Sequence, residues 1–268
     1  MAVFAGQGDA ARSMPLLWRE KGAAGHRHGP GPKPGLTVDA VVSAAIGVAD
    51  DANVAGLSMR AVAERLGVTA MALYTYVPGK NELVDLIYDG VHAELPTDGR
   101  PASGWRAAVT AWAEDLVALY VRHPWALQVS FARPVLGPHE QAVLEALVRI
   151  LRETGAGAEV LRRVVSVLFH LVRGTARTIA EARIAPTAGS TSEQEWWAGR
   201  AAQLAEVVPD FAERFPQTMW LAGAGAARTG DGQTPYLEHE AREALAVGLA
   251  VLLDGLEAGT IAVPSRGR

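Results

Sequence analysis

The sequence predicts an all-α protein: an N-terminal three-helix helix-turn-helix head, then a larger C-terminal helical domain. Three observations carry this. Apolar residues recur at helical spacing almost continuously from Val38 to Leu256. Alternating β-branched runs bounded by turn dipeptides are absent. Gly and Pro fall between the periodic stretches, at Gly67, Pro78–Gly79, residues 96–101, Pro124 and Gly155–Gly157.

Residues 1–35 read as a flexible basic arm, with Gly and Pro concentrated in residues 19–36. Between residues 11 and 38, Arg12, Arg19, Lys21, Arg27 and Lys33 face only one acid, Glu20, a local net of +4 in a chain of net charge −4. Local charge is what phosphate feels, because screening limits its reach to about 8–10 Å.

The head spans 36–96. Thr37 is the cap of the first helix, with Asp39 in its first turn, where the helix dipole favours a carboxylate. Val38, Val41, Val42, Ala45 and Ile46 form its inner face, and it ends around 51–53. Ser58 caps the second helix, and Leu57 and Val62 have the spacing of a hydrophobic staple. Gly67 breaks that helix. A third runs from about Thr69 to Tyr76, stopped by Pro78–Gly79, and a fourth from near Lys80 to about Leu95. A short helix, a tight turn containing Gly and a second short helix form a helix-turn-helix.

The second domain spans 102–264. Helices are predicted at about 104–122, 138–154, 158–183, 192–207 and 236–258, with a short helical piece at 125–132 and, over 208–234, irregular chain with one helical turn or two. The 158–183 helix is apolar nearly all round, so several neighbours bury it.

The stretch LSMRAVAERLGVTAMALYTYVPGKNELVDLI, preceded by LTVDAVVSAAIGVADDANVAG, resembles the DNA-binding domain of the tetracycline-repressor (TetR) family over about residues 36–95. Its marks are Arg60-x-x-Ala63-x-x-Leu66-Gly67-Val68, Leu73-Tyr74-x-Tyr76-Val77 and Lys80. Leu252-Leu253-Asp254-Gly255-Leu256 is similar to that family's ligand domain. The resemblance implies a homodimer reading a palindromic double-stranded operator and released by a small molecule in the C-terminal domain. It places DNA contacts on Arg60, Thr69, Ala70, Met71, Tyr74, Tyr76 and Lys80. Arg60 has the chemistry to pair with a guanine edge. Ala70 and Met71 stand where the tetracycline repressors carry a polar reader, and they offer only apolar contact to thymine methyls. Tyr74 fits either a core aromatic or a phosphate contact.

Six of the seven tryptophans lie beyond residue 100. Aromatics with a few polar groups are what a small-molecule pocket requires. Trp112, Trp125, Phe131, Phe169, His170 and Arg173 are the candidate ligand residues. Each aromatic also fits plain core packing, and Arg173 fits either ligand recognition or an internal hydrogen bond. The resemblance implies a dimer face on the 158–183 and 236–258 helices, where Gly174, Ala176, Ala180, Ala244 and Gly248 would allow close approach; the same small residues also fit a plain alanine-rich composition. Control by a protein partner, with no ligand pocket, is the alternative.

Other chemistry finds no support. With no cysteine, disulfides, thiolate zinc sites and cysteine nucleophiles are excluded. His26-x-His28 lacks a third metal ligand, and Gly223-x-Gly225 with Gly230 lacks the strand and Lys-Ser/Thr of a phosphate loop. Asp50–Asp51 reads as a solvated helix end. No catalytic, metal or cofactor site is expected. No apolar run of transmembrane length occurs, and Asp9 and Arg12 interrupt any signal-like start, so a cytoplasmic protein without a membrane partner is expected.

Overall fold

A computed structural model describes residues 3–4, 6–19, 36–98, 104–130, 133–184, 193–225 and 235–259. Its helices are α1 (Ala10–Leu17), α2 (Val38–Gly56), α3 (Met59–Leu66), α4 (Ala70–Leu73), α5 (Lys80–His92), α6 (Gly104–Arg122), α7 (Pro138–Arg152), α8 (Ala158–Ile184), α9 (Glu193–Val207), α10 (Phe211–Arg214), α11 (Pro216–Gly225) and α12 (Tyr236–Glu257). A 3-10 turn at Pro124–Gln128 follows α6. The only strands among the described residues are two of two residues each, β1 (Val3–Phe4) and β2 (Val129–Ser130), which pair in parallel. The fold is all-α.

Local chemistry sets the head. The Thr37 Oγ1 accepts the Ala40 N–H at 3.1 Å, and the Ser58 Oγ accepts the Ala61 N–H at 3.1 Å. Each satisfies a donor that a helix start leaves open. Gly67 ends α3 at φ 67°, in the left-handed region where glycine carries no Cβ penalty. Asn53, at φ 58°, kinks the end of α2. Val41, Ala45 and Ala49 of α2 pack with Val62, Leu73, Leu83 and Ile87 in the head's core.

That core is continuous with the body. Val91, Leu116, Trp125, Leu147, Leu168 and Leu253 belong to the same buried cluster. Helix α8 packs against α6 and α12, while α7 packs against α5 and α6. Helix α5 is therefore shared: one side closes the head and the other meets the body.

Two expectations are corrected. Residues 1–35 do not form a flexible arm throughout, because Ala10–Leu17 is a helix packed on α5. Asp9 caps it by accepting the Ala11 N–H at 3.0 Å, and Leu17 is buried. Residues 20–35, including His26 and His28, lie outside the described residues. Within 208–234 the four-residue α10 matches the helical turn expected there, but α11 is longer than the one or two turns expected, and Gly223 lies in it. No helix among the described residues is long and apolar enough to cross a membrane.

Candidate nucleic-acid interface and effector domain

Helix α4 seats on the head through the fully buried Leu73 and turns its opposite side outward. Met71 is 76% exposed and Tyr74 47% exposed. Thr69 is exposed, and Ala70 is half-buried against the core. The Thr69 Oγ1 accepts the Ala72 N–H at 3.3 Å as the α4 cap, which leaves its hydroxyl hydrogen to donate outward. Tyr76 is half-buried and packs on the core, so its ring is structural. Tyr74, which the sequence left open between core and contact, stands on the outside.

Arg60 opens α3 with its side chain 86% exposed. Its Nε donates to Glu64 Oε1 at 2.8 Å, and that hydrogen bond and charge raise the guanidinium pKa further. A solvated pair of this kind holds weakly, so Arg60 can exchange its partner. Lys80, at the start of α5, is exposed and reaches the Val54 carbonyl O at 3.5 Å. Arg65 is instead held by Asp51 at 2.6 Å.

The five described ligand candidates are not brought together in one place. Trp112 is buried, donates its indole N–H to the Val143 carbonyl O at 3.2 Å, and stacks edge-on against Phe169 at 5.3 Å. Trp125 is fully buried but points to the head, where its indole N–H meets Asp50 Oδ1 at 2.7 Å. His170 is exposed, with Nδ1 2.6 Å from the Ser166 carbonyl O. Arg173 donates to the carbonyls of Leu127 and Val129 at 3.0 and 3.1 Å and lies 5.2 Å over the Tyr120 ring. It has the internal hydrogen bonds that the sequence left as one of two choices. Phe131 lies outside the described residues.

A cavity of about 460 Å³ lies elsewhere, between α1, α2, α5 and α7. Leu17, Val42, Ile46 and Leu86 form its apolar wall, with Arg19, Asp39, Asp89, Glu94 and His139 among its polar groups. Sequence reasoning missed this cavity and the bridge beside it. His123 presents Nδ1 to Asp50 at 2.7 Å and Nε2 to Glu94 at 3.1 Å. Asp50 is thus a head-to-body tie, which corrects its reading as a solvated helix end. No local signal marks these partners, which lie more than seventy residues apart in the chain for Asp50 and Trp125.

An exposed helix-turn-helix on an all-helical second domain defines a DNA-binding transcriptional regulator. Residues 41–87 match the family model for bacterial regulatory proteins, tetR family, and residues 96–260 match the tetracyclin repressor-like C-terminal domain. The chain is 38% identical over 254 residues to the HTH-type transcriptional repressor DrrR1 of Streptomyces coeruleorubidus, covering 94% of this chain and 87% of that relative. It is 32% identical to an HTH-type transcriptional regulator of Saccharopolyspora erythraea, over 76% of this chain and 81% of the relative. The Streptomyces coelicolor TetR family protein ActR, in its complex with actinorhodin, shares the fold with a TM-score of 0.66 at 24% identity, covering 85% of this chain and 98% of that one. This chain belongs to the tetR family of bacterial regulatory proteins.

Proposed function

We propose that the chain acts in the cytoplasm as a homodimeric repressor that binds a palindromic operator and leaves it when a small molecule occupies its effector domain. The observation that carries this is the exposed face of Arg60, Thr69, Met71 and Tyr74 on a head whose core runs without a break into that domain. Arg60 reads a guanine edge, and Met71 with Ala70 touches thymine methyls. Thr69, Tyr74, Tyr76 and Lys80 bind phosphate, with Lys80 adding charge at a helix start. No catalytic step, metal or cofactor is part of this function.

The dimer face is α8 with α12, which expose Val167, Val247 and Val251 beside Gly174 and Ala244. Apolar side chains on a solvent face, interleaved with small residues, suit close packing of a second copy. Two heads on such a dimer meet half-sites about 34–36 Å apart, so a shift of a few ångströms breaks the fit. Repression is supported by the name of the Streptomyces coeruleorubidus relative, and a small-molecule effector by the actinorhodin complex of ActR.

Trp112 and Phe169 are the effector contacts of this proposal, and Arg173 passes their displacement to the 3-10 turn it grips. Trp125 and His170 are not effector contacts in it. A second reading, control by a protein partner, draws on the closed packing of Trp112 and Trp125. Binding-site selection with purified protein, followed by a compound screen for release of the selected DNA, separates the two. Release by a small molecule that Trp112→Ala abolishes supports the first. Selected DNA that no small molecule releases, but that a protein partner does, overturns it.

A further inference from the structure

We infer that the described N-terminal residues, 3–4 and 6–19, form a strap that clamps the DNA-binding head to the effector domain and fixes the head angle at which the operator is bound. The strap acts on the DNA-binding function proposed above. Its contacts alternate between body and head, crossing the junction three times. It starts on the body, where β1 pairs with β2 at Val3–Val129 and Phe4–Ser130. It then runs along α5 of the head. The Gly6 N–H donates to Asp85 Oδ1 at 2.7 Å, the Asp9 N–H to Glu82 Oε1 at 3.3 Å, and the Ser13 hydroxyl to Asp85 Oδ2 at 3.2 Å. It then reaches the body again, where the Trp18 indole N–H donates to the Leu136 carbonyl O at 2.9 Å. Arg19 closes it with an ion pair to Asp39 of α2.

These contacts form a built seat. Ser13, Glu82 and Asp85 are all buried. A buried carboxylate needs donors, and here the strap's N–H and O–H groups supply them. Burial raises the Asp85 pKa, while the Gly6 and Ser13 bonds pull it back. Gly8 marks the closest approach: a Cβ there would stand 2.7 Å from Ser13 Oγ and 3.0 Å from Glu82 Oε1.

The strap's hydrogen bonds and ion pair described above fall on α2, α5 and the body rather than on Arg60, Thr69, Met71 or Tyr74, so the clamped head still presents its DNA face. A head free to swing binds more weakly in proportion to the fraction of time it spends at the competent angle. Clamping raises that fraction and sharpens the preference for one half-site spacing.

The test uses the full chain, fluorescence anisotropy on its selected operator, and operators with half-site spacing changed by one base pair. Gly8→Trp wedges the strap off its seat, and Ser13→Ala removes one anchor without added bulk. Hydrogen exchange of the α1 amides reports whether the strap is seated. The expected result for Gly8→Trp is lost α1 protection, operator binding weaker by about tenfold and a flattened spacing preference, with Ser13→Ala intermediate. Unchanged α1 protection in Gly8→Trp overturns the seat. Lost protection with unchanged affinity and spacing preference overturns the clamp. A wild-type chain that selects no DNA overturns the proposed function instead, and that result is read before any substitution is made.

Discussion

The Asp50 carboxylate, at the far end of α2 from its cap, accepts the indole N–H of the fully buried Trp125 at 2.7 Å and so joins the head to the turn that follows α6. The same oxygen faces His123 Nδ1 at 2.7 Å. Removing the acceptor leaves an indole N–H buried without its bond. Asp50→Ala is expected to destabilise the chain by about 1–3 kcal/mol, measured as a lower urea midpoint at constant slope. An unchanged midpoint would show that the bridge contributes nothing.

Arg60 lies outside all packing, so its replacement should separate binding from stability. Arg60→Ala is expected to weaken operator binding by roughly 1–3 kcal/mol and relax one base position, while the unfolding free energy stays within about 0.5 kcal/mol. Anisotropy titrations on the operator and its single-base variants check this. Full affinity with full sequence preference would remove Arg60 from the interface.

Asp89 of α5 caps α7 across the junction, its Oδ1 accepting the N–H groups of His139 at 3.0 Å and Glu140 at 2.9 Å. Gly137 makes room for it, since a Cβ there would overlap the Asp89 carboxylate. Gly137→Ala should displace that carboxylate and strand the two donors, at a cost of about 1–3 kcal/mol. Thermal unfolding checks it, and an unshifted transition contradicts the capping role.

His92 is buried beside the rings of Tyr88 and Tyr120, with Nδ1 2.7 Å from the Tyr88 carbonyl O. Burial lowers its pKa to about 4. An unfolded histidine titrates near 6.5, so between these values the unfolded chain takes up a proton that the folded chain refuses. Stability from this group is complete above about pH 6.5, falls as pH drops, and levels off below about 4. About 2 kcal/mol of it should be gone at pH 5. His92→Gln should flatten the difference between urea midpoints at pH 7 and pH 5. Equal slopes in wild type and variant would contradict the assignment.

What the sequence revealed, and what it hid, divides by range. Thr37, Ser58 and Gly67 were legible because capping and helix termination are settled within a few residues. The helix-turn-helix was legible for the same reason. The strap was not, because α1 is short, contains Pro15 and gains its stability from α5, about seventy residues away. The length of α11 was hidden by Pro216, Gly223 and Gly225. Trp125 carried the right chemistry for a pocket, but only the fold shows that its N–H faces Asp50. Arg173 is half-buried, and of the two choices the sequence left for it the internal one is seen, with the carbonyls of Leu127 and Val129 as acceptors.

The central claim is that Arg60 and α4 of two copies read DNA. Selection of duplexes from a random pool by the purified chain, followed by footprinting of the winners, tests it most directly. The account predicts one palindrome whose protected half-sites lie about one helical turn apart, 34–36 Å, with guanine protection lost in Arg60→Ala. Enrichment of no sequence, or of an unrepeated site protected equally by Arg60→Ala, would contradict it.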